Sequence, residues 1–187
     1  MNVSIAEICN KALHNAGAAS IVNLSDRTTE GNQARLSWPI ISEFVFRSVP
    51  WKCLAKRVSL TETTTAPAWG YAYSYVRPDD YVRLIGMEEQ DAKYLEVGDT
   101  IQSDDSPLNL DYVYNCQDPT KYSADLVRAL ELNLTYDFIM GLSGDVKRLD
   151  RIRQDLERFF MPLVRLNNSI GAGQRIQQAS TFTDMFL

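Results

Sequence analysis

The hydrophobic pattern of this chain changes period twice, and that double switch constrains its fold more than any single motif. From residue 4 to about 48, apolar residues recur every three or four positions, the spacing of a helix face. From about Lys56 to Cys116 they alternate, the spacing of a strand. From Ser123 the helical spacing returns. The expected class is α+β: an antiparallel helical bundle of about four helices, an inserted small antiparallel β region and an extended C-terminal tail. The expected divisions are residues 1–55 for the first half of the helical body, 56–118 for the β-rich insertion, 119–166 for the second half, and 167–187 for the tail.

Local signals set the element ends. Ser4 and Glu7 form an S-x-x-E capping box, Ile5, Ile8, Cys9, Ala12, Leu13 and Ala16 share one face, and Gly17 is placed to end the helix. A second helix is expected from near Thr28 to about Ser48, with Leu36, Ile40, Phe44 and Val45 as its buried stripe. Pro39 removes a helical hydrogen bond, so a kink or break is expected near Arg35 to Trp38. Pro50 disfavours helical geometry at Val49 and ends this helix. Trp51 follows where the two periods meet, and Pro50 with Trp51 is read as a structural hinge at that junction, a buried indole anchoring a fixed chain direction.

Residues 71–76, 81–87, 94–97, 100–103 and 110–115 are strand candidates, separated by turn signals such as Pro78-Asp79-Asp80 and Gly98-Asp99. Leu126, Leu130, Leu134 and Phe138, joined by Val127, Leu132 and Ile139, cover more than one face, so the helix after Ser123 should be central. Gly144 and Asp145 close it and start the next. Val146, Leu149, Ile152, Leu156, Phe159 and Leu163 then form a narrow seam on a highly charged helix, with Pro162 bending its last turn. After Asn167 the chain is polar but keeps spaced apolar anchors at Ile170, Ile176, Phe182, Met185, Phe186 and Leu187. Such a segment either frays or orders on a partner.

Composition limits the function classes. With 19 Lys and Arg against 24 Asp and Glu the net charge is −5, which argues against gripping nucleic acid through phosphate neutralisation. Cys9, Cys53 and Cys116 have no zinc or redox spacing and read as small hydrophobes in a reducing compartment. No basic, apolar leader and no apolar run of membrane-spanning length is seen, which predicts a soluble protein made in a cytoplasm. The single histidine, His14, lies on the polar flank of the first helix. No G-x-S-x-G, P-loop or H-E-x-x-H motif occurs, and Gly171 and Gly173 form an isolated G-x-G with no preceding strand. Asp79 with Asp80, and Asp104 with Asp105, could serve as paired carboxylates, yet adjacent Asp residues beside Pro or Ser are more simply turn formers. Tyr71, Tyr73 and Tyr75 on one strand face could stack bases, although no Lys or Arg flanks them closely, which favours a core or interface role. The expectation is a protein that is not an enzyme and uses no metal and no cofactor.

The order of landmarks resembles the podovirus tail tubular protein A family, the head-to-tail adaptors of short-tailed bacteriophages. The blocks that carry it are AEICNKALHNAG with Ile21, Leu24, Asp26, Glu30 and Ala34; then RSVPWKCLAKR; then APAWGYAYSYVRPDDYVRL; then SADLVRALELNLTYDFIMGLSGD before a charged helix. They span residues 6 to about 166. Pro39, and a central block richer in Leu and Thr and poorer in Ala, depart from the family's pattern. The resemblance implies a homo-oligomeric ring, typically a dodecamer, between the portal protein and the tail nozzle of the virion. Its channel would pass DNA without specific binding during genome ejection, after assembly in the host cytoplasm.

On that reading the fourth helix, through Lys147, Arg148, Arg151, Arg153, Asp155, Glu157 and Arg158, would face a neighbouring subunit or the portal. The tail anchors Ile176, Phe182, Met185, Phe186 and Leu187 would order on a partner, and the channel wall would be neutral to acidic. The rival expectations are a phage-associated cell-wall hydrolase working through Asp79, Asp80 or Glu88, and a nucleic-acid-binding module using the tyrosine face.

Overall fold

The computed structural model describes residues 3–89 and 92–164. The chain divides into two compact units: one takes its N-terminal part to Val49 and resumes at Ser123, and the other runs from Pro50 to Tyr122. Among the described residues no helix is long and apolar enough to cross a membrane.

The first unit contains α1 (Ile5–Ala16), α2 (Thr29–Ser48), α3 (Ala124–Phe138) and α4 (Val146–Asp155). Each begins on a side-chain cap that satisfies a free backbone N–H of the first turn. Ser4 Oγ accepts from Glu7 N while Glu7 Oε2 accepts from Ser4 N, at 3.2 and 2.6 Å, which completes the expected capping box. Thr28, Ser123 and Asp145 cap the other three. Gly17 ends α1 at φ 80°, in the left-handed region that favours glycine.

The loop after α1 is held back onto it by Asn10, whose side chain donates to Ile21 O and accepts from Ile21 N, both at 2.8 Å. Asp26 Oδ2 accepts from Val22 N at 2.6 Å in the same loop. α3 packs against α1, α2 and α4 and buries Leu126, Val127, Ala129, Leu130, Leu132, Leu134, Thr135 and Phe138. Burial on several sides accounts for apolar residues that a surface helix would not carry.

Two expectations about α2 are corrected. The helix is not broken at Pro39 but runs through it from Thr29 to Ser48. Pro39 and Arg35 both lie on the exposed side, so the Arg35 carbonyl that loses its helical partner is on the hydrated side of the helix. The expected stripe also falls on the wrong face. Leu36, Ile40 and Phe44 are exposed, and Gly31, Ala34, Ser37, Trp38, Ser42, Val45 and Phe46 are buried instead. Small residues predominate there; an added Cβ on Gly31 would collide with the Asp26 carbonyl.

After α3 the chain makes a π-helical turn, Ile139–Ser143, ended by Gly144 at φ 61°. A second π-helical turn, Leu156–Phe160, follows α4. Pro162 comes two residues later. It cannot donate to residue 158 and crowds that carbonyl, which favours a widened turn at this point.

The second unit contains β1 (Ala55–Leu60), β2 (Tyr73–Val76), β3 (Tyr81–Met87), β4 (Tyr94–Val97), β5 (Thr100–Ser103) and β6 (Leu108–Tyr114). They form two three-stranded antiparallel sheets, ordered β1-β6-β3 and β2-β5-β4. Tyr73 pairs with Ser103 and Tyr75 with Ile101; Arg57 pairs with Asp111 and Val58 with Leu110. Alternation turns Tyr75 and Ile101 of one sheet, and Leu108, Leu110 and Tyr112 of the other, into a common core. Val58, Leu60, Tyr73, Tyr81, Leu84, Met87, Tyr94 and Tyr114 line it.

The expected architecture of a helical bundle carrying a small β insertion is therefore wrong. The sheets are central in the chain and make a compact unit with its own core. The reason is side-chain size. Tyr73, Tyr75, Tyr81, Tyr94, Tyr112 and Tyr114 all lie in or line that core, and large rings from two sheets fill a space that a single small hairpin layer could not enclose.

Candidate interaction surfaces

The charged helix was the main site expectation. Lys147, Arg148, Arg151, Arg153, Glu157 and Arg158 are exposed, and Asp155 is half-buried. The apolar side of this segment is narrow, with Ile152 and Phe160 buried, which leaves the rest of its circumference to charge. Arg148 stands apart from the others. Its Nε lies 3.2 Å from Asp145 Oδ2, and its guanidinium sits against Gly17, where an added Cβ would collide with it. That position is the C-terminal end of α1, where exposed carbonyls favour a cation. Arg148 is thus engaged within its own unit. No ion pair joins Lys147, Arg151, Arg153 or Arg158 to an acidic side chain among the described residues.

Ile176, Phe182, Met185, Phe186 and Leu187 lie outside the described residues. Pro50 and Trp51 stand at the first residues of the β unit; Trp51 is buried and Pro50 half-buried.

Of the acidic residues weighed as catalytic candidates, Asp80, Asp104, Asp105 and Glu88 hold backbone or side chains in place. Asp80 accepts from Lys56 Nζ at one oxygen and from Tyr112 Oη at the other, at 2.8 Å for the tyrosine, while its carbonyl accepts from Asn115 N. Burial alone would raise its carboxyl, but the bonds from Lys56 and Tyr112 outweigh burial and hold it below the ordinary carboxylate value. The Tyr112 hydroxyl is pushed up to about 12, by burial and by Asp80. Lys56 also lies 4.0 Å above the Tyr114 ring. Asp79 is exposed. Asp104 Oδ1 accepts from Ala72 N at 2.9 Å, the Asp105 carbonyl accepts from Tyr75 Oη, and Glu88 accepts from Asn109 Nδ2 at 2.6 Å.

The tyrosine face is divided between core and surface. Tyr75 is buried, Tyr73 and Tyr71 half-buried, and Trp69, on the loop before β2, is exposed. His14 is exposed on α1. Cys9 and Cys116 are buried and Cys53 half-buried, all as free thiols, and burial pushes the Cys9 thiol up to about 12. Among the described residues no group of three His, Cys, Asp or Glu is placed to hold a metal ion.

What sequence reasoning missed is the apolar outer face of α2. Leu36, Ile40 and Phe44 stand one turn apart and are 61%, 70% and 54% exposed. The signal that could have found it is the run of small residues opposite, Gly31, Ala34, Ser37 and Ser42, which mark a face where helices approach closely.

No family model matches this chain, and no curated protein matches it.

Proposed function

We propose that this protein is a structural adaptor that assembles into a ring between a bacteriophage portal and the tail nozzle, with a central passage for the genome. The observation that carries this reading is the α4 surface. Lys147, Arg151 and Arg153 on α4, and Arg158 on the π-helical turn that follows it, are solvent-exposed, without acidic partners among the described residues. Cations left unpaired in the free subunit are available to a neighbour. Identical copies that meet head to tail use two different surfaces and close by rotation. Exposed pairs are individually worth about 0–1 kcal/mol, so these charges would set register and partner choice while apolar contacts supply affinity.

The ordered sequence blocks give the reading its family, and the charge distribution agrees with it. Between Pro50 and Tyr122 there are 7 Lys and Arg against 12 Asp and Glu, so the whole net charge of −5 resides there; the rest of the chain carries 12 of each. A channel wall that draws on such a surface would repel DNA and let it slide.

The test is electron microscopy of the purified protein with and without portal-filled heads, alongside the double variant Arg151→Glu/Arg153→Glu. Rings on wild-type heads, and occupancy reduced about tenfold or more in the variant, are expected from several coupled contacts per subunit. Unchanged assembly of a folded variant would remove α4 from the interface. Absence of rings under both conditions would overturn the adaptor reading itself.

A further inference from the structure

The outer face of the β1-β6-β3 sheet carries a groove. The alternation that turns Leu108, Leu110 and Tyr112 into the core turns Asn109 and Asp111 outward. Two depressions, of about 630 and 330 Å³, share Met87, Glu88 and Asn109 and so run together. Their lining extends from Pro107 to Asp111, four residues or roughly 13 Å of extended chain.

The groove is acidic. Glu88, Glu89, Asp104 and Asp105 line it, and none of the four forms an ion pair with a cationic side chain among the described residues. Their carboxylates accept from neutral groups: Glu88 from Asn109, Asp104 from Ala72 N and Asp105 from the Ser103 hydroxyl. The cation in the lining, Arg57, is already taken by Asp111, its Nε lying 2.9 and 3.2 Å from the two carboxylate oxygens. Pockets for small molecules are mostly apolar; open walls of carboxylate suit a cationic protein surface.

The same chain carries such a surface. Lys147 and Arg151 stand one turn apart on α4, and Arg158 follows seven residues later, all three exposed. At the ordinary helical rise this row is roughly 16 Å long. We propose that the row Lys147–Arg151–Arg158 of one copy docks in the acidic groove of the next copy. The proposal rests on the head-to-tail reading above and names the second of the two surfaces that such assembly requires. Length and sign both agree, since a row and a groove of similar extent bring unpaired cations to unpaired carboxylates. Groove and row are different surfaces, so each copy can use both at once, and the contacts fix register and partner choice. Added salt should weaken the contact, because the charges are exposed.

The test reverses charge on either side in the full-length protein: Lys147→Glu/Arg151→Glu on the row, and Glu88→Lys/Glu89→Lys in the groove. Association is followed by sedimentation at low salt and by electron microscopy on portal-filled heads. Each double variant alone should associate about tenfold more weakly than wild type, or worse. Mixing the two should restore assembly, because each reversed row then meets a reversed groove and each native row a native groove. The quadruple variant should recover for the same reason, a rescue that a merely unfolded variant would not show. Glu88→Gln/Glu89→Gln, which removes charge without reversing it, should weaken association in the same direction by less. Assembly indifferent to the groove variants, or losses that neither the mixture nor the quadruple variant recovers, would overturn the proposal and leave the adaptor reading standing. Rescue in solution without rings on heads would support the groove contact and overturn the adaptor reading. A wild type that stays monomeric under both conditions would overturn both.

Discussion

The helical unit and the β unit encode their structures differently. In the helical unit the ends of elements are written locally, by Ser4 with Glu7, Thr28, Ser123, Asp145, and the left-handed Gly17 and Gly144. In the β unit the important pairings are distant in sequence: Ala55 to Leu60 lie on Val113 to Leu108, and Asp80 reaches Lys56 and Tyr112. The two differ in material as well. Eight of the nine Tyr, all but Tyr136, fall between Pro50 and Tyr122. A thin two-sheet core gains from Tyr because the ring fills space while the hydroxyl bonds at the rim, as Tyr75 does with Asp105 and Tyr81 with Glu96. Helices are specified by what is adjacent, and this sheet pair by what it can enclose.

The strongest challenge to that contrast is Tyr75→Ala. Tyr75 is fully buried at the centre of the two-sheet core, and removing it should cost about 3–5 kcal/mol in denaturant unfolding, as for other large aromatics. Tyr75→Phe, which loses only the hydroxyl bond, should cost about 1 kcal/mol. A Tyr75→Ala variant as stable as wild type would show that the β unit does not rest on this core.

A smaller effect sharpens the role of long-range polar pairing. Asp80 has a folded pKa below its ordinary value. Its ionised form is thus favoured by folding: the stabilisation is present above the unfolded pKa of about 3.9 and is lost as pH falls through the lower folded value. Asp80→Asn should lower stability at neutral pH by about 1 kcal/mol or less, the pair with Lys56 being partly exposed. The gap between variant and wild type should close below that window. Urea midpoints at pH 7 and in acid measure it, and a gap that persists unchanged in acid would mean Asp80 acts by packing alone.

The smallest expected change lies in the helical unit. Trp38 is buried, and its indole Nε1–H has no acceptor among the described residues. Trp38→Phe gives up ring volume but also removes a donor whose burial costs about 1–3 kcal/mol, so the net change should stay within about 1 kcal/mol. Thermal unfolding of the pair decides it. A loss above about 3 kcal/mol would show that shape at position 38 outweighs the unpaired donor.

Much of the local structure was legible in the residues alone. The capping box, the ends of α1 and α2, the central position of α3, the Gly144 stop and five strands followed from spacing and turn chemistry, because caps and periodicity act over a few residues. The charged character of α4 was legible for the same reason. Which face of α2 is buried was not. Leu36, Ile40 and Phe44 make a regular apolar row, yet burial within the helical unit, where Ser37 bonds to Asp137 of α3, selects the face of Ala34, Ser37 and Trp38, a choice that depends on partner surfaces and not on the helix. Nor did spacing reveal that Arg148 turns to the end of α1, or that Asp80 is a pin between strands. Local order was thus set by neighbours along the chain. The weight of the β unit and the exposure of α2 were decided only when distant side chains met, since packing rewards the shape that two surfaces share.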